Sequence, residues 1–294
     1  MGKMMTVTYY HHSGFSVSSG NVLLIFDYWT GKQKKLPQDR QIKPDDLARY
    51  NEVYVFVSHE HEDHYDPVIY TWEEYAPVTY IIADDMPRTA RGRRMSPGSE
   101  MILSDNVKVQ AFGSTDAGVS YLVELDGVRF FHAGDLNYWH WRDVSTVREI
   151  AMADEDFRKE VAPIIGQEID WCFFPVDPRM GMHFDAGVNY FMMTVKPRVL
   201  CPMHFWGRGD IITEFARRAR TNDTEILPLT IEGQAASLVM EDDGFMNISM
   251  LNPPVSAPTH VAYGESVSLD GYEGADPFLE TDLPVDMGEG PNRT

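Results

Sequence analysis

The stretch Val53-Tyr54-Val55-Phe56-Val57-Ser58-His59-Glu60-His61-Glu62-Asp63-His64 decides how the rest of the chain is read. Its first five residues are β-branched or aromatic, and a short apolar run of that kind predicts a buried strand. Three histidines and one aspartate then follow within six positions, immediately past the strand end. Imidazole and carboxylate are the ligand set of zinc and related divalent ions. One tetrahedral ion with metal–nitrogen bonds near ~2.0 Å cannot take all four side chains from so short a segment. Strand-like alternation sends His59 and His61 one way, while the adjacent Asp63 and His64 can diverge. The expectation is two neighbouring metal sites, one fed by each pair.

Missing ligands should then come from other strand ends. Val128–Phe131 runs into His132-Ala133-Gly134-Asp135, Val199–Cys201 into Pro202-Met203-His204, and Val22–Phe26 into Asp27. Apolar strands that each end in Asp or His are what a metal centre at one edge of two packed sheets requires. Asp135, with two oxygens, is the natural bridge between two ions. Titratable groups gathered at strand ends are the signature of a functional site.

Further runs at Thr6–Tyr10, Val78–Ile82, Val107–Phe112, Ser120–Leu125 and Trp171–Pro175 also predict strands, with a hairpin turn at Asp126-Gly127. Helices are expected at Pro67–Tyr75, capped by Asp66, at Asp143–Glu160, at Asp185–Val195, capped by Asp185, and at Ile211–Arg220. The fold class is therefore α/β (α+β), two sheets carrying helices outside. At 294 residues the chain suits one large domain or two small ones, and a hydrophobic content of 43% is that of a globular protein. Residues 1–250 are expected to form the domain. Residues 251–294 read as an acidic, Pro-rich C-terminal extension, with eight carboxylates against Arg293 alone and six prolines from Asn252 onward. The alternative for this tail is a lid or an oligomer arm carrying Tyr263, Tyr272 and Phe278.

The pattern His59-x-His61-x-Asp63-His64, with Asp27 before it and Asp135 and His204 after it, resembles the metallo-β-lactamase superfamily. His12-Ser13-Gly14-Phe15, His132-Ala133-Gly134-Asp135 and Pro202-Met203-His204-Phe205-Trp206 are similar to its ascorbate-6-phosphate-lactonase-like, general metal-dependent hydrolase branch. The resemblance covers about residues 5–240 and implies a four-layer αββα sandwich with a dinuclear centre. It puts His59 and His61 on the first metal, Asp63, His64 and His204 on the second, Asp135 between them, and Asp27 behind the ligand loop. The chain departs from the family at Gly113-Ser114-Thr115-Asp116, where a third histidine for the first metal is usual. Asp116 is the foremost substitute, with His183 and His140 as others; otherwise the first site is weak. Two divalent ions are expected, zinc first, with manganese or iron as the variants an altered ligand set would favour.

Other residues carry lesser expectations. His132 and His12 are assigned to the surroundings of the ligands, and the roles of His140, His183, Arg179 and Arg208 are contacts to substrate. Arg88, Arg91, Arg93 and Arg94 form the one basic cluster, read as a solvated loop or an anion clamp. Cys201 reads as a core residue, and two cysteines build no disulfide framework, which fits a cytoplasmic location. No apolar run approaches the ~20 residues of a membrane span, and no secretory signal is expected.

The resemblance implies a metal-bound hydroxide attacking a small anionic ester, lactone or phosphodiester. Asp63 and Asp135 would be the catalytic carboxylates, Asp63 also orienting the nucleophile or passing a proton to the leaving group. The rivals are a nuclease of the same fold, an iron-dependent sulfur oxygenase and a degenerate metal-binding sensor. A net charge of −20 counts against nucleic acid as a partner. The expected partner is a small-molecule substrate, with no membrane and with a homo-oligomer left open.

Overall fold

The computed structural model describes residues 3–251 apart from 33, 220 and 242. The C-terminal extension, but for Leu251, lies outside these described residues. Six strands come first: β1 (Met4–His11), β2 (Gly14–Ser19), β3 (Val22–Phe26), β4 (Glu52–Val57), β5 (Val78–Ala83) and β6 (Arg93–Met95). Seven more form a second sheet: β7 (Glu100–Ser104), β8 (Val107–Phe112), β9 (Ser120–Leu125), β10 (Val128–His132), β11 (Trp171–Pro175), β12 (Val199–Met203) and β13 (Glu225–Ile226). The last two, β14 (Ala235–Met240) and β15 (Met246–Met250), return to the first sheet. The helices are α1 (Pro44–Leu47), α2 (Val147–Val161), α3 (Ala186–Thr194) and α4 (Gly209–Arg218).

The eight-stranded sheet runs β15-β14-β1-β2-β3-β4-β5-β6 and the seven-stranded one β13-β12-β11-β10-β9-β8-β7. Within the first, β3 through β6 are parallel; within the second, β10 through β13 are parallel. Parallel strands are covered on both faces, which is why β3, β11 and β12 are buried at every position.

The inner faces meet through Phe15 on Phe173, ring centroids 4.4 Å apart, and Phe56 on Tyr121 at 5.5 Å. Outside the second sheet, Phe191 of α3 lies 4.6 Å from Phe174 and 5.4 Å from Phe131, and Phe157 of α2 lies 6.4 Å from Phe174. Outside the first, Trp72 packs 5.0 Å from Tyr28, and the Tyr80 hydroxyl donates to the carbonyl of Ile69. The expected αββα sandwich is the fold of this domain.

Two expected helices differ in detail. Pro67–Glu74 is a 3-10 helix rather than an α-helix, with Asp66 accepting from the Val68 amide as its cap. The Asp143–Glu160 helix starts later, at Val147, because Thr146 and Glu149 form a capping box there. The Asp185 side chain makes no cap hydrogen bond to α3. Among the described residues no helix is long and apolar enough to cross a membrane.

Candidate metal centre

Carboxyl ends of parallel strands are where open α/β sheets bind ligands, and here both sheets end at the same place. β3 delivers Asp27, β4 the segment His59–His64, β10 Asp135, and β12 His204, while the β1–β2 turn brings His12. The ligand segment is a turn and not a continuation of β4, with the His64 amide donating to the His61 carbonyl. The expected alternation therefore stops at Val57.

Asp135 sits at the middle of the cluster. Its Oδ1 lies 3.0 Å from His64 Nε2 and 3.4 Å from His204 Nε2, while its Oδ2 lies 3.4 Å from His59 Nε2. Asp63 Oδ2 is 3.1 Å from His12 Nε2 and 3.6 Å from His204 Nε2. Two overlapping groups of donor atoms result, His12/Asp63/His64/His204 and His59/His64/Asp135. A third, His61/Asp116/Asp135, is more open: the His61 and Asp116 side chains are 50% and 48% exposed and approach to 3.5 Å.

Asp27 anchors the ligand loop from behind. It accepts from the Ser58 amide at 2.8 Å, the Ser58 hydroxyl at 2.6 Å and His64 Nδ1 at 2.7 Å. Because the Ser58 hydroxyl proton goes to Asp27, its oxygen accepts from His59 Nδ1 at 2.9 Å. Both His59 and His64 thereby turn Nε2 toward Asp135, and His59 Nε2 also lies 3.0 Å from His61 Nδ1. His132 donates through Nε2 to the Ser13 carbonyl and accepts the Gly134 amide, so it fixes the turn that carries His12.

The backbone is forced around these groups. His12, Asp27 and His204 have φ of 54°, 40° and 60°, a left-handed region that costs non-glycine residues on the order of 1–3 kcal/mol each. The loop bearing Asp116 presses so closely on the ligand segment that a Cβ at Gly118, itself at φ +67°, would lie 1.8 Å from the Ser58 carbonyl oxygen.

The electrostatics call for a cation. Burial and the neighbouring His204 push His12 down to about 3, so its imidazole is neutral. Burial pushes Asp135 up, yet His64 and His204 hold it well below the usual carboxylate range. Burial likewise opposes ionisation of Asp63, and His12, His64 and His204 overcome it. His64 is desolvated, and the charges of Asp135 and Asp27 nonetheless raise it well above the ordinary imidazole value. His12 Nε2, His64 Nε2 and Asp135 Oδ1 are buried without a well-directed hydrogen bond, and a metal ion among them would give each a partner by coordination. The donor set fits a divalent ion.

Several expectations place differently. His12 stands among the donor atoms rather than behind them. His140 lies away from the cluster, with Nε2 donating to the His183 carbonyl and Nδ1 accepting the Arg142 amide, so neither ring nitrogen is free. His183 is exposed at φ 66°, outside every donor group. Arg208 makes an exposed pair with Asp210 at the start of α4 and does not reach the site. Arg179 does stand nearby, its guanidinium 4.2 Å over Trp206 and 5.8 Å from Trp141. Arg94 is spent on the carbonyls of Asp84, Met86, Pro87 and Ala90, and Arg91 on Glu73, so these two of the four arginines hold the loop together.

One residue was not singled out by the sequence reading. Asp177, wholly buried past the end of β11, accepts from His204 Nδ1 at 3.0 Å. Its signal is positional, since it follows the strand that lies between those ending in Asp135 and His204.

Comparison with known proteins bears on the family and the fold. A metal-dependent hydrolase of Thermococcus onnurineus is 23% identical over 220 residues, 69% of this chain and 85% of that protein. A metallo hydrolase of Ignicoccus hospitalis shares the fold with a TM-score of 0.56 at 17% identity, over 80% of this chain and 98% of that one. A structure of a metal-dependent hydrolase from Parabacteroides distasonis superposes with a TM-score of 0.53 at 17% identity, over 77% and 93%. Residues 6–154, which carry the Asp27 strand, the His59–His64 turn and Asp135, match the model of the beta-lactamase superfamily domain, and the chain belongs to this metallo-β-lactamase superfamily of metal-dependent hydrolases.

Proposed function

We propose that the cluster holds two divalent metal ions, zinc foremost, and hydrolyses a small anionic ester, lactone or phosphodiester. The observation that carries this reading is the convergence of three buried donor atoms without a well-directed hydrogen bond, His12 Nε2, His64 Nε2 and Asp135 Oδ1, at the carboxyl ends of strands from both sheets. His12, Asp63, His64 and His204 would hold the enclosed ion, His59, His61 and Asp116 the open one, and Asp135 would serve both. Ions held there would lower the pKa of a water and polarise the oxygen under attack.

The protein's own groups do the rest. Asp63, ionised and partly exposed, orients the nucleophile and can hold a proton on its way to the leaving group. His61 and Asp116 form the accessible side through which a substrate approaches. Trp141 and Trp206, beside an Arg179 that is paired with Asp177, support a substrate with an apolar body.

The test is elemental mass spectrometry of the purified protein combined with a panel of lactones, carboxylic esters and phosphodiesters. Two zinc or manganese ions per chain and hydrolysis abolished by chelation are expected. Iron with oxygen consumption and no hydrolysis would overturn the reading in favour of redox chemistry.

A further inference from the structure

We infer that Asp177 is a positioning residue of the metal centre, which fixes the tautomer and direction of His204, and that Arg179 clamps Asp177 for this task. The inference rests on the proposed reading of the cluster as a metal centre. The parallel pairing of Pro175 with Met203 sets the end of β11 beside the end of β12, so Asp177 and His204 leave adjacent strands together. The His204 Nδ1–H donates to Asp177 Oδ2 at 3.0 Å. With that proton committed, the lone pair belongs to Nε2, which lies 3.4 Å from Asp135 Oδ1 and 3.6 Å from Asp63 Oδ2.

The carboxylate has no freedom to turn. Arg179 donates to it through Nε at 3.1 Å and Nη2 at 2.6 Å, and the Arg179 amide donates to Oδ1 at 2.9 Å. The same guanidinium covers Trp206, two residues beyond His204, so one arginine ties Asp177 to the loop that carries the histidine. The first sheet has the same device: His64 Nδ1 donates to Asp27 at 2.7 Å while His64 Nε2 faces Asp135 Oδ1 at 3.0 Å. Each sheet thus brings a carboxylate–imidazole pair to one oxygen. A carboxylate behind a ligating imidazole sets the tautomer and raises the basicity of the ligand.

Asp177 also caps a short 3-10 turn, Pro178–Met180, through Oδ1. A cap alone would not need Oδ2, and the two roles separate experimentally. Asp177→Asn keeps the size and a capping oxygen; Asp177→Ser keeps a capping hydroxyl that is too short to reach His204. In both, zinc affinity, measured by competition with a chromophoric chelator, should fall ~10–100-fold for one bound ion. In the metal-free protein, nitrogen NMR of histidine-labelled samples should show the His204 proton leaving Nδ1. Arg179→Ala should weaken the same ion less than either. Asp154→Asn, on the exposed side of α2, is the control for both readouts.

Unchanged zinc affinity together with an unchanged His204 tautomer would overturn the inference. So would equal weakening of every bound ion alongside a collapse of the melting temperature, which marks a purely structural role. If the unaltered protein takes up neither zinc nor manganese nor iron, the metal-centre reading itself falls, and the tautomer measurement still decides whether Asp177 positions His204.

Discussion

Asp135 and Asp116 illustrate how differently two carboxylates of one cluster are placed. Asp135 is buried at the crossing of three imidazoles, whereas Asp116 is half exposed, 3.5 Å from His61 and on the open side of the group they share with Asp135. Asp135→Ala is therefore expected to strip bound metal almost completely, and Asp116→Ala to weaken the open site alone. Metal retained after dialysis against a weak chelator, counted per chain, checks both; equal losses would contradict the division into an enclosed and an open side. Much of this neighbourhood was legible, because His59, His61, Asp63 and His64 crowd one turn and because Asp27, Asp135 and His204 each follow an apolar run. Asp177 escaped because Asp177-Pro178 reads as a turn opener, and His12 was placed around the ligands rather than among them because adjacent His11 and His12 leave open which ring faces the site. Arg208, His140 and His183 sit in loops near strand ends, and nothing in local sequence says whether such loops fold toward the site or away from it.

At the scale of elements, burial decides which strands announce themselves. β3, β8, β9 and β11 coincide with their apolar runs: β3 and β11 are buried at every position, while β8 and β9 keep enough β-branched and aromatic residues to stand out despite Lys108 and Glu124. β2 alternates serine with larger residues and β14 is rich in alanine, so neither stood out, although both belong to the first sheet. The order of strands is set by long-range pairing that no local pattern encodes. α2 depends on its start: the Thr146 hydroxyl accepts the Glu149 amide at 3.3 Å, and Glu149 accepts the Thr146 amide at 2.7 Å. Thr146→Ala should lower stability by ~1 kcal/mol in urea unfolding while leaving metal content untouched. A larger loss, or a loss of metal, would mean that α2 supports the site more directly than its packing on Phe174 suggests.

For the molecule as a whole, the end of the sandwich away from the metal cluster is closed by Asp126. This residue turns the β9–β10 hairpin at φ 51° and accepts from Ser19, at 2.6 Å, from Asn106, at 3.2 Å, and from Lys3, so it ties one sheet to the other. Burial pushes its carboxyl up, but these donors lower it below the ordinary value. A carboxyl depressed in the folded state stabilises above its unfolded pKa of ~3.9 and loses that contribution as pH falls through its folded value. Asparagine tolerates the same backbone, so Asp126→Asn isolates the charge. The variant should melt lower at pH 7, and the gap should narrow as pH falls below ~4. A gap that stays constant down to pH 2 would assign the effect to shape rather than ionisation.

The donors span positions 12 to 204, drawn from both sheets. On the ribosome, the His59–His64 turn emerges long before β12, and until then it can offer a passing ion only a loose, partial grip. His204 joins the left-handed kinks at His12 and Asp27 only when β12 has docked beside β11. The choice among metals thus falls to the finished sandwich, and not to whichever ion the nascent chain meets first.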